Sequence, residues 1–466
     1  MENAETDIPR NPKGDLTSND IRSHLIRLSV PMIWGIAAII SFQLVDTYFI
    51  SKLGKTELAA ISFTFPVTYF LFSFTMGFGI AMSSVASRLI GQGRINDVRR
   101  VTTHGLLLGS IVAVIVTFLG MLLHDSVFLS LGASPEMTAI IREYMMIWFA
   151  GNAFFTIPLI GNSSIRATGD TFSPALVMCL AAGINVALDP LLIFGGFGIP
   201  AMGMKGAALS TVFGNACALI ACIYILGSHK KLLLPLSDLR LEKFKDSLRR
   251  LLVIALPVGV TNGISPLVGS AIVAFLAMQG ESAVAAYGVA TRVEAFAFVI
   301  LMALAIGMAP IVGQNWGANK PMRVLETIRL VISFNILWSL FIAVLLALSS
   351  YKIASLFSTD PEIIRLTVLF FWIVPVSYLF SNLVNGWCSV FNAIGKPQRS
   401  LTMIVLKMLV LTLPCVWLGG RLLGTYGIFL AIAAVNTASG LAFHLWSWHT
   451  FTRRDSALNM GAKDTA

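Results

Sequence analysis

Charge is scarce in this chain of 466 residues: Asp, Glu, Lys and Arg together make up 12%, where soluble domains carry about 25%. Hydrophobic residues reach 56% and mean hydropathy is +0.81. A water-soluble fold cannot hide that much apolar surface, so lipid is the expected solvent. Cysteine is also sparse. Cys179, Cys217, Cys222, Cys388 and Cys415 lie inside apolar runs without ligand-like spacing, which excludes a disulfide framework or a zinc site. The six histidines stand mostly near the ends of those runs and assemble no nucleophile–base or metal cluster, so a membrane enzyme is not expected. Gly54-Lys55-Thr56 echoes the end of a nucleotide-binding loop, but Phe49 occupies the position that needs glycine. No cofactor is expected.

About 20 apolar residues cross a bilayer as helix. Twelve such runs occur, near 29–50, 59–84, 101–123, 138–161, 172–197, 203–227, 251–278, 284–312, 325–349, 364–393, 400–420 and 427–451. Residues 1–28 lack the basic-then-apolar order of a secretory leader and are expected to form a cytoplasmic tail. The boundaries that follow are a six-helix lobe at 29–227, a polar linker at 228–249, a second lobe at 250–451 and a tail at 452–466. Arg88, Arg94, Arg99, Arg100, the stretch from Lys230 to Arg250, Lys320, Arg323, Arg329, Arg453 and Arg454 all fall on one side of this arrangement. That bias places both termini in the cytoplasm of a cell (inner) membrane. It also accounts for the net charge of +10 without a nucleic-acid partner.

A shift of 226 residues, the separation of Gly54 and Gly280, carries Pro31 onto Pro257 and Ala59-Ala60 onto Ala285-Ala286. The same shift carries Met82 onto Met308, Gly91 onto Gly317, Val98 onto Val324 and Gly169 onto Gly395. Six helices return the chain to its starting side, so both halves insert in the same sense. The fold expected is all-α: twelve transmembrane helices in two parallel six-helix lobes, related by a pseudo-two-fold along the membrane normal. A cleft between such lobes suits transport by alternating access. Gly91-Gln92-Gly93 reads as a tight cytoplasmic turn.

Ionisable groups inside a membrane are expensive, and each is a candidate functional residue. Asp46, Asp189 and Glu294 lie well within the predicted spans. The shift takes Asp46 to Ile272, and the nearest counterpart of Asp189 is Leu413-Pro414. Scaffold residues should repeat, whereas a site used by one half should not, so Asp46 and Asp189 are the leading candidates. Asn185 stands one turn before Asp189 on the same helix face. Pro190 has no N–H for the Val186 carbonyl, which leaves a free acceptor nearby. Two carboxylates, an amide and a backbone oxygen suit H⁺ or Na⁺. Glu294 and Arg292 are two residues apart and point about 200° away from each other. Glu294 is either a site in the C-terminal half or a structural partner of another helix, with Lys407 as one candidate.

Val45-Asp46-Thr47, Asn185-Val186-Ala187-Leu188-Asp189-Pro190, Arg166-Ala167-Thr168-Gly169-Asp170 and Gly206-Ala207-Ala208-Leu209-Ser210-Thr211, in this order, resemble the multidrug and toxic compound extrusion (MATE) family over residues 21–452. Span seven offers Asn262 but no acid, and Asn382 and Asn385 of span ten have none beside them, which resembles the DinF-like branch more than the NorM-like one. The resemblance implies a cation site, for H⁺ or Na⁺, at Asp46, Asn185, Asp189 and Thr211, with Pro31 as the hinge of the first helix. It further implies a substrate cavity near Glu294, Arg292 and Asn262, and export of cationic, amphipathic drugs by a lipid-embedded monomer. A flippase for lipid-linked saccharides, which shares the broader fold, is the rival. It should line its cleft with several basic residues, and only Arg292 and Lys407 lie deep.

Overall fold

The computed structural model describes residues 14–235 and 241–463, with side chains described up to 451 except at 241. Most of the N-terminal tail and the centre of the linker thus lie outside the described residues. Apolar segments in lipid must satisfy their own backbone groups, and the chain does so as helices. In order these are α1 (Ile21–Leu53), α2 (Lys55–Gly91), α3 (Ile95–Ser130), α4 (Pro135–Ala167), α5 (Phe172–Phe194), α6 (Met204–Tyr224), α7 (Leu241–Ala277), α8 (Glu281–Gly317), α9 (Pro321–Phe357), α10 (Pro361–Ile373), α11 (Tyr378–Ala393), α12 (Pro397–Val405) and α13 (Leu413–Lys463). Among the described residues there is no strand, only an isolated bridge between Gly196 and Ile199.

Several helices outrun the spans read from hydropathy. α1 begins at Ile21, inside the stretch assigned to the tail, because Asp20 caps it by accepting from the Ser23 N–H at 2.9 Å. α7 starts at Leu241 rather than near 250, which shortens the linker. α2, α7, α8 and α9 are each 37 residues long, or about 55 Å, well beyond the ~30 Å hydrocarbon core.

Proline shapes the last spans. α10 and α11 form one hydrophobic run, broken where Pro375 cannot donate and the chain takes a 3₁₀ turn at Pro375–Ser377. α12 passes into α13 through a π-helical stretch, Leu406–Thr412, just before Pro414, whose missing N–H and ring disfavour a regular turn there. Eleven runs among the described residues are long and apolar enough to span. The eleventh, Pro397–Phe451, is 55 residues long and is interrupted at Gly424 (φ 61°, ψ −143°), a left-handed conformation suited to glycine.

Packing follows the two halves of the chain. α3, α4, α5 and α6 pack mainly on helices of the N-terminal half and α9 to α13 mainly on those of the C-terminal half, whereas α2 and α8 lie between the halves, α2 against α7 and α8 and α8 against α1 and α2. At the arginine-bearing end the first helix of each half reaches into the other half. Leu25 and Leu28 of α1 join the apolar core of the C-terminal helices, while Leu251, Ile254 and Val258 of α7 join an N-terminal core. Leu25 and Leu28 map onto Leu251 and Ile254 by the 226-residue shift, so the relation is reciprocal. Where α2 crosses α8, a Cβ on Gly91 would collide with the Gln314 carbonyl, one on Gly317 with the Arg88 carbonyl, and one on Gly313 with Ser87. All of these close approaches lie at the end of the bundle that carries Arg88, Arg94, Arg99 and Arg323. Gly91-Gln92-Gly93 does form the turn expected of it, with Gly93 at φ 74°, but Gly91 is required by the crossing helix.

Candidate cation site

Small residues bring α5 and α6 together. A Cβ on Gly214 would stand 2.7 Å from the Ala181 carbonyl oxygen, and one on Gly206 would strike the Leu192 carbonyl. That approach lets α6 reach the polar face of α5. Asp189 and Ser210 are fully buried and Asn185 nearly so. Ser210 Oγ donates to Asp189 Oδ1. With its nitrogen facing the carboxylate, the Asn185 amide donates to Asp189 Oδ2 at 3.0 Å and accepts from Thr211 Oγ1 at 3.0 Å. In this orientation the amide nitrogen faces an acceptor and the amide oxygen faces donors.

Asp46 faces this cluster from α1, which packs along α5. Its Oδ1 is buried without a hydrogen-bond partner. Asp46 lies within electrostatic reach of Asp189, and both act on Tyr144, a buried residue of α4. Asp46 is seven residues from the end of α1 and Asp189 five from the end of α5, or about 10 and 8 Å. The two carboxylates therefore share a level, as the sequence suggested.

Asn185, Asp189 and Thr211 thus come together in one hydrogen-bonded group, with Asp46 beside it. Ser210 and Tyr144 were not foreseen as members. Ser210 stood in the Gly206–Thr211 motif next to Thr211, whereas Tyr144 carried no signal of its own. The shift counterpart of Asp46, Ile272, is 7% exposed in the apolar C-terminal core. The donors are two carboxylates, an amide and hydroxyls. Such a set can hold a proton or a hard monovalent cation, and the unpartnered Asp46 oxygen has a lone pair free for either.

The residues of the C-terminal half do not assemble in the same way. Glu294 lies within electrostatic reach of Tyr287 and of the buried Tyr378 hydroxyl. The pairing of Glu294 with Lys407 is not formed. Lys407, 2% exposed, donates instead to Ser381 Oγ at 2.7 Å, because the π-helical stretch turns it toward α11. Arg292 is exposed, as its angular separation from Glu294 requires, and Asn262 is half-buried on α7.

The MatE family model matches residues 31–191 and 257–418, two stretches that begin at Pro31 and Pro257, one shift apart. The chain belongs to the MATE family. This family member is 36% identical to the FAD transporter of Shewanella oneidensis over 427 residues, 92% of this chain and 94% of the relative. It is 26% identical to the multidrug export protein MepA of Staphylococcus aureus over 423 residues, 90% and 91% of the two chains. Its fold superimposes on that of the Vibrio cholerae MATE transporter VcmN in the bent form with a TM-score of 0.87 at 28% identity, covering 94% and 98% of the chains. MATE proteins are transporters, so this chain is a multi-pass membrane transporter and not an enzyme.

Proposed function

We propose that this MATE protein is a cation-coupled antiporter that exports cationic, amphipathic organic molecules by alternating access, with its cation site in the N-terminal lobe. On this reading the break at Gly424 divides the last apolar run into two spans, making twelve in two parallel lobes. The arginine-bearing end faces the cytoplasm by the positive-inside rule. The lobes meet there, which is the arrangement of an outward-open state.

The observation that carries the proposal is the buried group of Asp189, Asn185, Ser210 and Thr211 with the unpartnered Asp46 carboxylate beside it. Two acids in a low-dielectric site favour capture of a cation. A cation entering from the outer side neutralises the pair and allows α1 to repack about Pro31. An ion biases a conformational equilibrium only through its difference in affinity between states, so the site is remade as the lobe moves. Drug uptake into everted vesicles, driven in turn by a pH gradient and by a Na⁺ gradient, tests this reading and identifies the ion. Uptake that depends on neither gradient excludes it.

A second reading concerns the cargo. The similarity to the FAD transporter of Shewanella oneidensis, with Arg292 exposed on α8 and Lys407 the buried cation of α11's neighbourhood, favours an anionic flavin dinucleotide. Uptake of FAD and of a cationic dye into the same vesicles separates the two.

A further inference from the structure

Residues 14–19, part of the expected cytoplasmic tail, are packed across the arginine-bearing end. Leu16 is fully buried in the core of the C-terminal helices. Its N–H donates to Gln314 Oε1 at 3.0 Å, and its carbonyl accepts from Asn315 Nδ2 at 3.0 Å. Lys320 Nζ donates to the Thr17 carbonyl at 2.9 Å. Arg323 Nη2 donates to the carbonyls of Ser18 and Asn19 at 3.0 and 2.8 Å, and Asn19 (φ 59°) then turns the chain into α1.

The segment also touches the other half. Gln314 Nε2 donates to the Ala167 carbonyl at the end of α4 at 2.8 Å. A Cβ on Gly169, in the α4–α5 turn, would meet the Gly14 carbonyl oxygen at 3.1 Å and Leu16 at 3.3 Å. Contacts to α8 and α9 stay within the C-terminal half. Those to Ala167 and Gly169 exist only while the two halves touch at this end.

We propose that residues 14–19 are a latch that holds this end shut while the cleft is open at the other, a proposal that rests on the alternating-access reading. Leu16 seats the latch on α8, its packing against Gly169 carries it across to the α4–α5 turn, and Gln314 of α8 ties Gly14, Leu16 and Ala167 together. A contact present in one state alone biases the equilibrium by its whole energy. One hydrogen bond corresponds to about a threefold to tenfold shift. Unseating Leu16 shifts it further, because the segment's packing against Gly169 is lost along with the hydrogen bond.

The test is a distance measurement by pulsed electron paramagnetic resonance. Spin labels go on Arg94→Cys and Gln398→Cys, exposed positions of the two halves at this end, with the five native cysteines replaced. Gln314→Ala should raise the ratio of open to closed populations threefold to tenfold. Leu16→Asp should raise it further, and Leu16→Met should leave it unchanged. If Leu16→Asp does not fold, Gln314→Ala decides, since it deletes the bonds to Leu16, Gly14 and Ala167 without placing a charge in the core. Unchanged distances in Gln314→Ala overturn the latch. Should Asp189→Asn still lose coupling in that case, the cation-site reading stands alone. Should Asp189→Asn keep coupling, that reading fails independently of the latch.

Discussion

Gly91 of α2 lies against the carbonyl of Gln314 on α8, and the same contact recurs with the partners exchanged, Gly317 of α8 against the carbonyl of Arg88 on α2. Residues 88 and 91 map onto 314 and 317 by the 226-residue shift. Ser87 and Gly313, themselves shift partners, also touch. Such self-complementary pairing is what a two-fold relation requires of a contact at its axis.

Gly91→Leu should therefore wedge the two halves apart at this end. Inserting a side chain where backbone atoms leave no room costs about 1–3 kcal/mol. That cost falls only on the state in which the ends touch. Gly93→Ala, two residues beyond Gly91, meets nothing within 4 Å and should cost about 1 kcal/mol through its positive φ alone. Cysteine accessibility from each side of the membrane distinguishes the two: only Gly91→Leu should open the arginine-bearing end.

Asp46→Asn and Asp189→Asn should each lower gradient-driven efflux by at least about tenfold while leaving insertion intact. Ile272→Val, at the shift counterpart of Asp46, should cost about 0.5–1.5 kcal/mol of stability and leave coupling alone. Drug-evoked H⁺ or Na⁺ movement in proteoliposomes measures all three. Full coupling in Asp46→Asn would remove the N-terminal-lobe mechanism.

Ser210 has a single hydroxyl hydrogen and two acceptors within reach, Asp189 Oδ1 and the Ala207 carbonyl at 2.8 Å. It can donate to an ionised Asp189, or accept from a protonated one while donating to Ala207. Ser210→Ala should weaken coupling by about threefold to tenfold, the worth of one hydrogen bond. Ser210→Thr keeps the hydroxyl and should restore most of it. Equal losses in both variants would mean that packing at this position, and not the hydroxyl, is what matters.

Asp170 lies in the α4–α5 turn, outside the spans. Burial alone would raise its carboxyl, but the Lys230 ammonium at 2.7 Å and two hydrogen bonds from Ser173 outweigh burial and hold it below the usual carboxylate range. Its folded value thus lies below its unfolded one. The stabilisation is present above the ordinary carboxylate pKa and is lost as pH falls through the lowered value. Asp170→Asn should lower stability in detergent at neutral pH by on the order of 1 kcal/mol. Thermal unfolding scans should show the difference from the parent shrinking as pH falls below the ordinary carboxylate range.

Glu294→Gln should alter which cationic compounds are exported without uncoupling transport, since its neighbours are Tyr287 and Tyr378 and not the N-terminal acids. Efflux of a panel of cations and neutral analogues checks this. Loss of the protein from the membrane would point to a structural role.

Membrane residence, the internal repeat and the pair Asp46 and Asp189 were legible in the sequence. Each is a property of spacing or of solvation cost: long apolar runs, a constant 226-residue shift, and charge where charge is expensive. Asn185 was legible too, because i and i+4 share a helix face whatever the fold. The tertiary structure alone decided the rest. Tyr144 faces the acids, and Lys407 turns to Ser381 instead of Glu294, because helix–helix rotation sets the partners of a side chain and hydropathy carries no record of that rotation. Leu16 shows the limit most clearly. One apolar residue among Asp15, Thr17 and Ser18 gives no periodic signal, and only the groove between α8 and the α4–α5 turn makes it part of a core.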